Sequence, residues 1–389
     1  MSEDRSRAAR RAEDYLLAGR LGDARALFDR DQGTDCFRPG AELALARLEV
    51  LENRLSAALP RLERLLSSQP ALTPAWELLA DGRYRRGELA QAAQAYRSLG
   101  RAAFAGHLER FGRAHPYATG GGGARIPWLR DEPLPVIQAC ARGRTLNLVL
   151  DTGAGDLLLD EAVAAQLAVT PVAEEAAEFA GGRGAPVRYG ALPSLELGGW
   201  MLTDIPVHLM SLQALFAPWF SDCTIDGVLG TGLFARMPTA LDFRARRLDL
   251  GDAVGEPGGA SLALYLAGTH YPLVEARLPG GQWVLLFLDT GMAGAAVALA
   301  PSVARQTELL GAGAAVLGQG GGGAVAGQPV RLGGLQLNGT TYGDLDALVL
   351  EQFPIERRFG ARIGGLLGHD FFRGRRLVLD FSRSRCAID

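Results

Sequence analysis

The sequence predicts a multidomain chain in which an all-α front of helical repeats precedes a mainly β rear built as two related lobes. Three observations carry that expectation: glycine is unevenly spread, the front repeats every 34 residues, and the rear repeats once after 138. Of 51 glycines, 9 fall in residues 1–115 and 42 in the remaining 274. The front is rich in Ala, Leu, Arg and Glu, with apolar residues at helical spacing, as in RRAEDYLLAGRLGDARALF and LPRLERLL. The rear has short apolar runs cut by Gly and Pro, as in RTLNLVLDTG and GQWVLLFLDTG, which read as strands ending in turns. A length of 389 residues is enough for two or three domains, each with its own core.

Composition excludes several functions. The balance of 40 basic against 43 acidic residues, net −3, argues against a nucleic-acid partner held through phosphates. Every basic residue is arginine, and the missing lysine removes the Walker A lysine, Schiff-base and pyridoxal-phosphate lysines and Ser-Lys dyads. Cys36, Cys140, Cys223 and Cys386 stand far apart without a CxxC pair, so reduced thiols are expected, with no zinc knuckle or disulfide framework. The five histidines lack ligand spacing and neither HExxH nor GxSxG occurs, so no metal or cofactor is expected. The charged opening MSEDRSRAARRAEDY lacks the apolar core of a secretory signal, and no apolar run is long enough for a bilayer, so a cytoplasmic protein without a membrane partner is expected.

The front module is expected over residues 1–116. Gly19, Asn53 and Gly87 are spaced by 34, as are Ala24, Ala58 and Ala92, then Phe28, Leu62 and Tyr96, and Ala12, Ala46 and Ala80. That period places small residues where paired helices approach and a large apolar residue where the next helix packs. The segment AWELLADGRYRRGELAQAAQAYRSL resembles a tetratricopeptide repeat through Trp76, Leu79, Tyr84, Gly87, Ala92 and Tyr96, with Arg83 in place of an aromatic. The resemblance implies about three helix pairs forming a concave surface for a protein partner. The named aromatics are expected to pack between helices, leaving binding to other positions. The stretch around ATGGGGARIP, residues 117–130, reads as a glycine-rich linker tethering this module to the rear.

The rear carries its signal twice. Asp151-Thr152-Gly153 follows LNLVL, and Asp289-Thr290-Gly291 follows WVLLFL. Seventy-nine residues after each aspartate stand Gly230, ending GVLG, and Gly368, ending GLLG; ninety-one after each stand Asp242-Phe243 and Asp380-Phe381. LELGG at 195–199 parallels LQLNG at 335–339 with an offset of 140, the two extra residues being assigned to the intervening glycine-rich stretch. A duplication explains this register, with lobes expected at 131–255 and 256–389. Asp242 and Asp380 are expected in late structural strands or turns, outside any acid-base work.

These motifs resemble a single-chain, two-lobed aspartic peptidase, nearer the bacterial retropepsin-like group than pepsins. The resemblance implies catalytic roles for Asp151 and Asp289, an interlocking hydroxyl role for Thr152 and Thr290, and close backbone approach at Gly153 and Gly291. Residue chemistry agrees with it: two carboxyls forced together share a proton, so one activates a water while the other polarises a peptide carbonyl. Ala154 and Met292 stand where pepsins place a hydroxyl, which predicts a raised pair pKa and activity at weakly acidic to neutral pH. Gly181, Gly182, Arg183 and Gly184 in one copy, and Gly320, Gly321, Gly322 and Gly323 in the other, are expected as flap tips over an extended peptide. Gly318, Gly320 and Gly323 also spell GxGxxG, but without strand-to-helix context they indicate no dinucleotide site. The function expected is an intracellular aspartic endopeptidase whose repeats recruit a protein substrate or adaptor. The alternative is a non-catalytic peptide-binding scaffold that keeps the cleft.

Overall fold

The computed structural model describes residues 11–30, 39–112, 114–178, 184–259, 261–309, 314–320 and 323–389. The first hundred or so residues are helical and the rest is β-rich. After a helical stretch over 11–17 come helices Leu21–Arg30, Pro39–Leu51, Leu55–Ser68, Thr73–Arg85, Leu89–Ser98 and Ala102–Glu109. The 34-residue spacing is visible in the backbone: Gly19, Asn53 and Gly87 all turn the chain between helices at positive φ, 69°, 57° and 74°. Ala12, Ala46, Ala80, Ala24, Ala58 and Ala92 are all fully buried, where any larger side chain would push neighbouring helices apart.

In the rear, the duplicated sequence gives duplicated structure. Arg144–Asp151 pairs in parallel with Gly227–Gly230, and Trp283–Leu288 pairs in parallel with Ile363–Leu367. Apolar runs such as LNLVL and WVLLFL form these strands because they are covered on both faces. Hairpins Ala173–Glu178/Gly184–Leu197 and Val316–Gly320/Gly323–Leu332 occupy matched places, and the second is the GxGxxG segment, an antiparallel hairpin. Asp242 and Asp380 each cap a turn, Asp242 accepting the amides of Arg244 and Ala245 and Asp380 that of Arg383.

The copies also share a sheet. Thr239–Asp242 of the first pairs antiparallel with Arg376–Asp380 of the second, and the order continues symmetrically outward to Gly123–Arg130 on one side and Ser261–Ala263 on the other. The offset of 140 arises earlier than expected. Leu159 and Leu299 pair with the equivalent residues Gly227 and Gly365, and helices Glu161–Gln166 and Pro301–Gln306 keep the same interval. The two extra residues therefore lie in the loop after Gly291, not in the glycine-rich stretch.

Two further expectations are corrected. Residues 117–130 are not a tether: Tyr117 is buried, Ala118 bridges Thr203, and Gly123–Arg130 is a strand between Arg247–Gly251 and Val136–Ala141. Ala124, Ile126 and Trp128 alternate inward along it, which supplies the reason. Nor does the helical module hang free. Leu16, Leu21, Phe28 and Leu48 share a core with Tyr265, Phe287 and Ile363 of the second copy, while Phe104 packs on Tyr189 of the first, ring centroids 5.1 Å apart. Among the described residues no helix is long and apolar enough to cross a membrane. Cys140, Cys223 and Cys386 are free thiols; Cys36 lies outside the described residues.

Candidate active site

Each Asp-Thr-Gly turn caps the strand before it and meets the other turn where the copies join. The threonines interlock. Thr152 N donates to Thr290 Oγ1 at 3.0 Å and Thr290 N to Thr152 Oγ1 at 3.0 Å. Thr152 Oγ1 donates across to Leu288 O at 2.7 Å, and Thr290 Oγ1 to Leu150 O at 3.1 Å. Both threonines are fully buried, so each hydroxyl satisfies a backbone amide and a carbonyl that water cannot reach. The grip is two-fold symmetric and works only with both copies present.

Above it, Asp151 and Asp289 come within hydrogen-bonding contact. Gly153 N donates to Asp151 Oδ1 at 2.7 Å, and Gly291 N to Asp289 Oδ1 at 3.0 Å. A Cβ on Gly153 would lie 2.7 Å from Asp289 Oδ1, and one on Gly291 would fall onto the Asp151 carboxyl. No side chain can stand at either glycine without separating the acids. Burial raises both carboxyls above the usual range, and the charge of Asp151 raises Asp289 further. Amide hydrogen bonds from Gly153, Ala154 and Gly291 oppose the rise at Asp151. One proton shared by the pair follows.

The acids open into a cleft of about 1430 Å³. Its floor is apolar, with Leu134, Phe216, Trp219 and Phe220 from the first copy and Phe287 and Phe353 from the second. Both hairpins border it, through Glu175, Val187 and Tyr189 on one side and Leu317, Gly320 and Val325 on the other. Of the expected flap tips, Gly184, Gly320 and Gly323 lie at the ends of hairpin strands; Gly181, Gly182, Arg183, Gly321 and Gly322 lie outside the described residues.

Residues that sequence reasoning passed over also line the cleft. Arg47, Leu51, Glu77, Asp81 and Tyr84 of the helical module form one wall. His208 and His270 stand near the first turn. Burial lowers both, His270 to about 3, which favours the neutral imidazole, while the nearby Asp156 opposes the fall at His208. Tyr84, expected to serve only helix packing, instead sends its hydroxyl out of the module to Asp156. The Asp in DTGAGD was the available signal for that partner. Among the described residues no group of three or more His, Cys, Asp or Glu is placed to hold a metal.

Paired buried carboxyls on duplicated Asp-Thr-Gly turns, at the junction of two β lobes, are the arrangement of aspartyl proteases. The chain belongs to that family: the family model described as Aspartyl protease matches residues 137–233 and 274–371, together half of the chain. No curated protein matches it.

Proposed function

We propose that the protein is an aspartic endopeptidase of retropepsin-like type. The observation that carries this reading is the contact of two buried carboxyls, each hydrogen-bonded by its own turn and brought together by interlocked threonines. Asp151, the ionised member, takes a proton from a water held between the acids. Asp289, holding the shared proton, hydrogen-bonds the scissile carbonyl oxygen. As the water oxygen bonds to the carbonyl carbon, Asp289 passes its proton to the carbonyl oxygen, giving a tetrahedral diol. Its collapse breaks the C–N bond as Asp151 passes the proton it took to the leaving nitrogen, and one diol hydroxyl returns a proton to Asp289, leaving a carboxyl group.

Two hairpins at matched positions support an extended peptide lying between them, its backbone adding to their edges. Bulky apolar side chains in the substrate suit the floor formed by Phe216, Trp219 and Phe287. The helical units, read as tetratricopeptide-like from Trp76, Tyr84, Gly87 and Tyr96 and the recurring backbone turns, hold a protein substrate or adaptor beside that cleft.

The test is incubation of the purified full chain with a diverse peptide mixture, beside Asp151→Asn and Asp289→Asn. Cleavage by the wild type that both variants lose supports the endopeptidase. Peptide binding with no turnover would make the chain a scaffold. Cleavage that persists in the variants would place the activity elsewhere.

A further inference from the structure

The helical module reaches the turn that carries Asp151 through one buried carboxylate. Asp156 follows Asp151 by five residues and is only 4 % exposed. Tyr84 Oη, from helix Thr73–Arg85, donates to Asp156 Oδ2. Tyr117 Oη lies 3.3 Å from Asp156 Oδ1 and accepts the Leu157 amide at 3.0 Å. His208 Nε2 faces the same carboxylate at 3.7 Å.

The backbone beside Asp156 holds the start of the short helix that follows the strand behind the catalytic turn. Ala154 O accepts Thr231 N at 2.9 Å, Gly155 O accepts Gly232 N at 2.8 Å, and Thr231 Oγ1 donates back to Thr152 O at 2.9 Å. An unbroken series of contacts thus runs from the Tyr84 hydroxyl to the residue next to Asp151. Arg236, just beyond the short helix Thr231–Phe234, fastens the same point from the other side by donating to Arg85 O at 2.7 Å and Tyr84 O at 3.3 Å. Among the described residues the second copy has no counterpart. Its longer loop, residues 292–296, reads MAGAA and offers no carboxylate.

We propose that Tyr84 is a positioning residue of the peptidase centre, so that the helical front is a built-in part of the site, acting through Asp156 on the turn that carries Asp151. The proposal rests on the peptidase reading. A hydroxyl donated to a buried carboxylate fixes the orientation of the loop that bears it, and rate falls steeply when a reacting group is misplaced.

Tyr84→Phe in the full chain keeps the ring and removes the hydroxyl. The expected result is a loss of about tenfold in kcat on a peptide substrate with KM held within about twofold. Tyr265→Phe is the matched control. It removes a hydroxyl donated to Glu275 at 3.1 Å, where the module's Gly22 N also binds at 3.1 Å, and Tyr265 does not line the cleft. It should lower Tm comparably and leave kcat unchanged. Adding Tyr84→Phe to Asp156→Asn should change kcat by less than about twofold, because both act along one route. If Tyr84→Phe yields no folded protein, Asp156→Asn alone carries the test, with kcat falling and KM unchanged.

Equal kcat in Tyr84→Phe and wild type, with wild-type cleavage still lost in Asp151→Asn, would overturn the positioning role and leave the peptidase standing. Fully additive losses in the double variant would overturn the route through Asp156. Absence of Asp151-dependent cleavage by the wild type would overturn both readings.

Discussion

Thr152 and Thr290 do the same service for each other, while the residues behind them differ between the two copies. Behind the first turn, Thr231 Oγ1 donates to Thr152 O at 2.9 Å and Asp156 collects the hydroxyl of Tyr84. Behind the second, the residue equivalent to Thr231 is His369, whose ring packs on Phe243, centroids 5.4 Å apart, and whose nitrogens make no hydrogen bond among the described residues, Nε2 standing 3.9 Å from Glu132 Oε1. Met292 and four small residues replace the Asp156 loop, and the Met292 side chain packs over Gly368. Where the copies touch, each residue must match its twin, and symmetry persists. One layer back that constraint is gone. There the first copy's turn is tied to the helices by a hydroxyl–carboxylate contact, and the second is met by apolar packing that includes Phe243 of the first copy.

The largest expected effect treats the copies alike. Asp151→Asn and Asp289→Asn should each lower kcat/KM by about a thousandfold, since a shared proton needs both acids. Unequal losses would show that one acid works without the other. Next come the threonines. Thr152→Val and Thr290→Val each strand a buried amide and carbonyl, and should lower unfolding free energy by about 2–4 kcal/mol, measured in urea. A marked excess for Thr152→Val would show that the braced side carries more of the junction.

A third effect separates function from stability. Burial raises Asp289 above its unfolded value, so the native state keeps a proton that the unfolded chain releases near pH 4. More protons on the native state mean that stability falls as pH rises through that range. Asp289→Asn should therefore stabilise the fold at pH 7, and the gain should vanish near about pH 3, below the unfolded carboxyl's range. A variant no more stable at neutral pH would show that the acid is not held protonated.

The smallest effect belongs to the second copy alone. Burial lowers His369, so the unfolded chain binds a proton there below about pH 6.5 that the native state refuses. Stability then declines as pH falls, and His369→Phe should flatten that decline between about pH 6.5 and 5. An unchanged acid limb in thermal melts taken across that range would exclude the effect.

The parts legible in the sequence were those with a period or a twin. The 34-residue spacing fixed where helices turn because Gly19, Asn53 and Gly87 share a left-handed backbone. The 138-residue spacing located both acids because strand, turn and following glycine recur together. What went unread had a sufficient local explanation. Tyr84 fits a repeat position, and its hydroxyl meets a residue 72 positions away, a pairing no local pattern reports. Four glycines at 120–123 masked the strand that begins at Gly123, although the alternation of Ala124, Ile126 and Trp128 was in view. The two-residue shift was misplaced because glycine-rich stretches align almost anywhere, whereas strand pairing at Leu299 admits one register.

The seam between Thr239–Asp242 and Arg376–Asp380 bears on biosynthesis. While the polypeptide is still emerging, the earlier half presents a bare strand edge whose partner has yet to be translated. The meeting of the two acids therefore waits for the second half, and until then the open edge is free to pair with another extended chain.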